Sequence, residues 1–330
     1  MNLTFKDGPG RAAFVAAGAP RVGEVVAERF VIESEAGAGS SGLVFRARDL
    51  RDGGSVALKV TYLSRAARPE RAFREALALA SVEHSAVVRY IDHGYTDSGA
   101  PFLAMQWIEG ETLAKRLARD GLTPIESLRL AQRLSSGLGA LHGRGIVHRD
   151  LKPSNILLAG GRVEGACIVD LGVSRDLAGP TGHTGHGEYI GTPRYMSPEQ
   201  IRDPQSVEGP SDVFALGCIL HECLCGAPAF DASEVFAVLA QILFAQSACP
   251  SDVRPALPAS LDLLLGAMLA RRPERRPEAG AVLNAKLRAA LEDAKLEHLD
   301  APPVAALYEA ASELTAGSVV WTSESERVAS

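Results

Sequence analysis

The spacing of apolar positions divides the chain into two kinds of segment. From Phe30 to Val60, hydrophobic and polar residues alternate in three runs, RFVIES, LVFRARD and SVALKV, separated by Gly-rich turns. Successive side chains of a strand point to opposite faces, so period two with Val, Ile and Phe predicts antiparallel strands. Residues 69–82 (PERAFREALALASV) change to the three-to-four spacing of a helix, with Pro69 at its start. Two more strand-like runs follow, VVRYIDHG and FLAMQWIEG. Beyond them helical spacing dominates: Leu113–Arg119, Ile125–Arg144, Asp212–Cys225, Ser233–Gln246 and Ser260–Ala270 each place apolar residues at i, i+3 and i+4. The pattern is that of an α+β protein, with sheet and one helix in the first third and helices after it. Between the helices lies a Gly- and polar-rich stretch, about 171–199. A long stretch of that kind inside a compact domain is usually functional. The first 24 residues, rich in Gly and Ala, predict a loose segment. After Glu297 one short helical run, VAALYEAASEL, precedes a polar tail.

Composition narrows the class. The 330 residues are 46% hydrophobic, which fits a globular chain with an ample core. With 34 Lys+Arg and 40 Asp+Glu the net charge is −6, which argues against a general nucleic-acid binder. No apolar run reaches the ~18 residues of a membrane span. The first 20 residues lack the apolar core of a signal peptide, so cytoplasmic residence is expected. Cys167, Cys218, Cys223, Cys225 and Cys249 are odd in number and lie among apolar residues, as buried thiols in a reducing compartment do.

Four motifs carry chemistry. Gly37-Ala38-Gly39-Ser40-Ser41-Gly42-Leu43-Val44 is a G-x-G-x-x-G-x-V run. Its glycines let a backbone turn tightly and approach phosphates. A dinucleotide fingerprint would need a helix directly after them, whereas a strand pattern follows here. Lys59 interrupts the apolar run SVALKV. It reads either as a solvent-facing strand residue or as a nucleotide-phosphate ligand held by an acid on the next helix, Glu75 before Glu70. His148-Arg149-Asp150-Leu151-Lys152-Pro153-Ser154-Asn155 sets an acid and an amide five residues apart. The acid can accept a hydroxyl proton, the amide can hold a metal, and Lys152 adds a positive charge beside them. Asp170 ends the apolar run CIVD, where a carboxylate is costly unless paired or metal-bound.

These motifs resemble the eukaryotic-like serine/threonine protein kinases, as found in bacteria, over about 29–293. The resemblance continues through GTPRYMSPEQ (191–200), similar to the substrate-binding loop and its closing A-P-E motif, and through Asp212-Val213-Phe214-Ala215-Leu216-Gly217. It implies a bilobal α+β fold, with a five-stranded antiparallel N-lobe and one helix (29–108), a mainly helical C-lobe (109–293), and ATP between them near 106–110. Residues 1–28 are then a flexible N-terminal segment, and 294–330 a C-terminal tail with one short helix. Gly37, Ala38, Gly39, Ser40, Ser41, Gly42, Val44 and Ala57 are expected around the nucleotide, with Lys59 and Glu75 as an ion pair. Met105 takes the position behind adenine, and the backbone from Gln106 to Ile108 its edge. Asp150 is the expected acid-base residue, Asn155 and Asp170 the Mg2+ ligands. Lys152 and Thr192 form the pair that marks Ser/Thr specificity. Asp212 is expected to brace the loop around Asp150, and Arg276 to pair with Glu199. Ser41, Ser85, Leu171 and Ser197 depart from the commonest family residues without removing a catalytic group.

The implied activity is transfer of the ATP γ-phosphoryl group to Ser/Thr hydroxyls of a protein substrate. A pseudokinase-like scaffold is the alternative, disfavoured because a binding module has no need of Lys59, Asp150, Asn155 and Asp170 all together. In the family, an arginine placed as Arg149 is goes with phosphorylation of the following loop. Thr184 is the first candidate and Thr181 the second, with Glu188 a built-in carboxylate nearby. His183 and His186 in that loop are assigned no metal.

Overall fold

The alternating runs of the first hundred residues assemble into one antiparallel sheet. The computed structural model describes residues 19–39, 42–61, 69–171, 193–245, 247–255 and 257–292. They fall into two compact units, one drawn from 19–81 and 88–109, the other from 82–87 and 110–292.

In the smaller unit the strands are β1 (Val25–Val26), β2 (Phe30–Gly39), β3 (Gly42–Asp49), β4 (Ser55–Thr61), β5 (Tyr90–Tyr95) and β6 (Pro101–Gln106), in spatial order β1-β2-β3-β4-β6-β5. Helix α1 (Pro69–Ala80) packs on β5 and β6. The sheet thus adds a two-residue edge strand to the five expected. Val25–Val26 joins it because Ala27 and Glu28 both take positive φ, 52° and 55°, and turn the chain tightly enough for Arg29 N–H to reach the Val26 carbonyl at 3.1 Å. One face carries the core: Phe30, Ile32, Leu43, Phe45, Val56, Leu58, Val60 and Phe102. Phe30 and Phe102 meet edge to face, with centroids 5.8 Å apart. At the end of the sheet Arg29 forks onto Asp49 at 2.9 and 2.6 Å and reaches Asp92 at 2.5 Å, tying β2, β3 and β5 together. The guanidinium holds the buried Asp49 carboxyl below its usual range, against the opposing effect of burial.

The larger unit is helical around a small sheet of β7 (Gly110–Thr112), β8 (Ile156–Ala159) and β9 (Ala166–Ile168), in spatial order β7-β8-β9. Its helices are α2 (Leu113–Arg119), α3 (Pro124–His142), α4 (Pro198–Arg202), α5 (Gly209–Cys225), α6 (Val235–Phe244), α7 (Pro250–Val253), α8 (Ala259–Met268) and α9 (Ala281–Leu291). α3 starts at a capping box, in which Thr123 accepts from Glu126 N–H and the Glu126 carboxylate accepts from Thr123 N–H. In α5 every residue from Ser211 to Cys225 is buried, so it is the axis of this unit. β7, three residues long, is too short to carry a spacing signal. α9 is not among the expected helices, although Leu283, Leu287 and Ala290, which it buries, have the i, i+4, i+7 spacing of one.

Four of the five cysteines are buried, as expected, but Cys249 is exposed because it stands at the N-cap of the short surface helix α7. Burial pushes the Cys167 and Cys225 thiols up to about 12. The tail at 294–330 and the loop carrying Thr181, Thr184, Glu188, His183 and His186 lie outside the described residues.

α3 and α9 cross where two glycines meet: a Cβ on Gly139 would stand 2.7 Å from the Gly280 Cα. Gly280 has φ +83° and donates its N–H to the Ser135 carbonyl at 3.0 Å, so the loop cannot retreat cheaply. Gly139→Ala should therefore lower unfolding free energy by about 1–3 kcal/mol, the range of overpacked cores, with an unchanged urea m-value. A variant as stable as the parent would show that the helices can separate at no cost.

Candidate active site

The register of the smaller unit's sheet sorts its residues by face. Val44 lies opposite Lys59 and Gly37 opposite Val44, while Ala57 lies opposite Met105. With period two along each strand, Gly37, Val44, Ala57, Lys59 and Met105 share the face opposite the core cluster. Lys59 is 4% exposed, which excludes a solvent-facing lysine on a half-buried strand. An ammonium at that depth is stable only among compensating partners. Gly42 opens a strand rather than a helix, which excludes the dinucleotide fingerprint. A Cβ there would lie 2.1 Å from the Val60 carbonyl oxygen, so close strand approach also requires glycine at that position. Gln106 donates its N–H to the Arg89 carbonyl at 2.9 Å, and Ile108 is buried. Ala38 lies on β2, beside Gly39 at its end. Ser40, Ser41 and Thr192 lie outside the described residues; Glu75 falls on α1, and its side chain also lies outside them.

In the larger unit, Asp150, Lys152 and Asn155 come together. Lys152 Nζ is 3.1 Å from Asp150 Oδ2. Asn155 Nδ2 donates to the Asp150 carbonyl at 2.8 Å and approaches Asp150 Oδ2 at 3.3 Å. The β8–β9 hairpin explains how Asp170 joins them. Ile156 pairs with Ile168, and Val169 N–H donates to the Asn155 carbonyl at 3.0 Å, so Asn155 and Asp170 leave the same end of the hairpin. Asn155 is 1% exposed, and with its amide nitrogen committed, its Oδ1 is buried without a hydrogen-bond partner. A buried amide oxygen with no donor fits a metal ligand, and oxygen donors from one amide and one carboxylate suit Mg2+, which takes few protein ligands. No cluster of three or more His, Cys, Asp or Glu residues suited to a metal occurs among the described residues.

The loop is held from behind by Asp212 on α5, 1% exposed. Its Oδ2 accepts from His148 N–H at 2.9 Å and its Oδ1 from Arg149 N–H at 2.8 Å. Arg149 sits at φ +65° and Asp170 at φ +62°, both costly for residues other than glycine. The Asp150 amide donates to His148 Nδ1 at 3.3 Å, so Nε2 carries the proton and donates it to the Val169 carbonyl at 3.3 Å. Partial burial lowers the Arg149 pKa, and Asp212 counteracts the shift.

Three supports escaped the sequence reading. His142, at the end of α3, donates from Nε2 to Asp212 Oδ2 at 2.7 Å. Gln200 Nε2 donates to the Arg149 carbonyl at 2.8 Å, while its Oε1 accepts from Ser197 N–H at 2.9 Å. Ser197, one of the departures from the family pattern, is the N-cap of α4, so its hydroxyl has a local purpose. Tyr195 donates to the buried Glu222 at 2.7 Å. The only available signal was positional: these polar residues fall at helix ends or inside apolar runs.

The expected Glu199–Arg276 pair is present and buried. Arg276 meets the carboxylate at 2.5 and 2.8 Å, donates to the Pro210 and Ala270 carbonyls at 2.9 and 2.7 Å, and lies 4.9 Å over the Phe214 ring. Ser211 adds a hydrogen bond to Glu199 at 2.6 Å. Burial alone would raise the Glu199 pKa, but Arg276 and Ser211 outweigh it and hold the carboxyl below its usual value.

The family described as "Protein kinase domain" matches residues 30–287. "Serine/threonine-protein kinase PknB" of Mycobacterium leprae is 32% identical over 269 residues, 79% of this chain and 43% of the relative. "Serine/threonine-protein kinase PknH" of Mycobacterium tuberculosis is 33% identical over 266 residues, 79% and 42% respectively. The chain therefore spans less than half the length of these curated relatives. Among solved structures, the kinase domain of Mycobacterium tuberculosis PknI superposes with a TM-score of 0.64 at 25% identity. It covers 83% of this chain and 100% of that one.

Arg276→Leu would leave Glu199 buried without its cation, which generally costs about 3–5 kcal/mol, measurable by urea denaturation. The Glu199 pKa is depressed on folding, so its contribution is complete above the ordinary value of 4.5 and is lost as pH falls through the lower folded value. The parent should thus lose stability in that acid window more steeply than Arg276→Leu. Parallel acid limbs would show that the pair contributes nothing to pH dependence.

Proposed function

Because the chain belongs to the protein kinase domain family, we propose that it is an ATP-dependent serine/threonine protein kinase. The observation that carries this reading is the convergence of Lys152 and Asn155 on Asp150, with Asn155 Oδ1 left buried and without a donor. The similarity to relatives named serine/threonine-protein kinases supports it.

In this reading Asp150 orients the acceptor hydroxyl and takes its proton as the new oxygen–phosphorus bond forms. The bond from the γ-phosphorus to the bridging oxygen breaks, and ADP leaves. Lys152, beside the carboxylate, offsets negative charge on the transferred group. Lys59 positions the nucleotide phosphates, with Glu75 as its partner on α1. Gly37, Ala38, Gly39, Ser40, Ser41 and Gly42 cover the phosphates, and Val44, Ala57, Met105, Gln106 and Ile108 meet the adenine. Asn155 and Asp170 hold Mg2+, which neutralises charge on the phosphate oxygens when bound. Thr192 accompanies Lys152 in orienting a Ser/Thr acceptor. Autophosphorylation on Thr184 or Thr181 belongs to the same reading and rests on the sequence.

Asp150→Asn should bind nucleotide normally and lower kcat by about 10²–10⁴, the usual effect of losing a general base. Lys59→Met should also cut turnover, since positioning supplies much of the barrier reduction in phosphoryl transfer. Activity on a protein substrate should vanish in EDTA and return with Mg2+. Transfer at the parent rate by Asp150→Asn, or undiminished transfer in excess EDTA, would falsify this assignment.

A further inference from the structure

The larger unit holds a pocket of about 530 Å³ whose lining includes none of the residues assigned above to catalysis, nucleotide or metal. α6, α8 and the segments after them enclose it, with Phe230, Ile242, Leu265 and Leu269 as an apolar floor. Arg271, Arg272 and Arg275 belong to its lining and are exposed. Arg271 is committed to the Phe244 and Ala245 carbonyls at 2.6 and 3.0 Å. Among the described residues neither Arg272 nor Arg275 has an ion-pair partner for its guanidinium. The one acid in the lining, Asp262, is taken up by the backbone N–H and hydroxyl of Ser251 at 3.0 and 2.5 Å. The result is an apolar hollow with a positive rim.

Gly266 supplies a second observation. It sits inside α8, where glycine costs about 1 kcal/mol relative to alanine. Other helical glycines of this unit have a steric reason: at Gly217 a Cβ would stand 2.9 Å from Leu269 Cδ2. At Gly266 a Cβ would meet nothing within 4 Å. The fold does not forbid a side chain there, and its absence leaves the pocket wall open to a group from outside.

We propose that this pocket docks protein substrates through an acidic segment bearing a bulky apolar side chain. The apolar group lies against Gly266, and flanking carboxylates pair with Arg272 and Arg275. A hollow of this volume lies in the range of ligand sites. Buried apolar anchors dominate peptide recognition, and the guanidinium fork matches a carboxylate in two hydrogen bonds. The identity of the occupant as a substrate rests on the kinase reading; the ligand chemistry of the pocket does not.

The test uses the full chain and a fluorescein-labelled peptide, Asp-Glu-Phe-Glu-Asp-Leu-Glu, followed by anisotropy at low salt. A control peptide carries Gly in place of Phe and Leu. The first should bind saturably, and the second at least about tenfold more weakly. Arg272→Glu/Arg275→Glu and Gly266→Leu should each weaken the first by about tenfold or more, while Gly266→Ala binds as the parent does. Appending the segment to a short Ser/Thr acceptor peptide should lower KM for the parent but not for Arg272→Glu/Arg275→Glu. Both proteins should turn over the plain acceptor with equal kcat. Should Gly266→Leu fail to fold by circular dichroism, the exposed arginine pair carries the test. Equal binding of the two peptides, or parent-like binding by the arginine variant, overturns the proposal. A concentration-dependent dimer abolished by Arg272→Glu/Arg275→Glu assigns the surface to a second copy and overturns it too. Peptide binding by a parent chain that phosphorylates no acceptor refutes the kinase reading and removes the substrate assignment, while the binding result stands.

Discussion

The larger unit depends on one buried carboxylate. Asp212 stands on the most enclosed helix among the described residues and receives two successive backbone N–H groups, those of His148 and Arg149, with His142 as a third donor. Two adjacent amides can point at one carboxylate only if the chain bends sharply, and the bend is what puts Arg149 at φ +65°. Such a conformation persists only where its surroundings overdetermine it. Gln200 from α4 and the Val207 carbonyl complete the restraint, on the Arg149 carbonyl and guanidinium. Asp150 inherits its position from this arrangement, because the residue before it has no freedom left.

The smaller unit solves a different problem, that of a sheet with two unlike faces. Period two lets one strand place Val56, Leu58 and Val60 in the core and Ala57 and Lys59 on the opposite face. A register slip of one residue would exchange them and bury the lysine in the apolar cluster. The Phe30–Phe102 contact and the Arg29–Asp49–Asp92 network hold the register, since both join strands far apart in sequence. Precision on the face that carries Lys59 is therefore set by packing on the core face.

Much of this was legible in the residue pattern. The strands of the first hundred residues and five of the later helices follow from periodicity, and they lie close to their expected places because each buries a continuous face. Asp150 and Asn155 stood out through the acid–amide spacing of the HRDLKPSN motif, and Asp170 because a carboxylate that ends an apolar run demands a partner. The two-residue β1 and the short β7 were not legible, because so few residues carry no periodicity. His142 was hidden because its partner is 70 residues away, and helix ends commonly carry histidine. The pairing of Gly139 with Gly280 was likewise invisible, since each glycine alone reads as a helix weakness or a turn. The exposure of Cys249 was misjudged because its neighbours are apolar while its helix is a short surface turn.

That exposed thiol gives the chain a natural chemical handle. All five cysteines fall within the described residues, and the other four are enclosed, with thiols that burial keeps protonated at neutral pH. A maleimide dye or spin label added to the native protein would thus attach at Cys249 alone, without mutagenesis. Since Cys249 lies in the lining of the arginine-rimmed pocket, the attached probe would report from its edge. The same asymmetry makes labelling stoichiometry a gauge of foldedness: one equivalent in the native chain, rising towards five as the helices around α5 come apart.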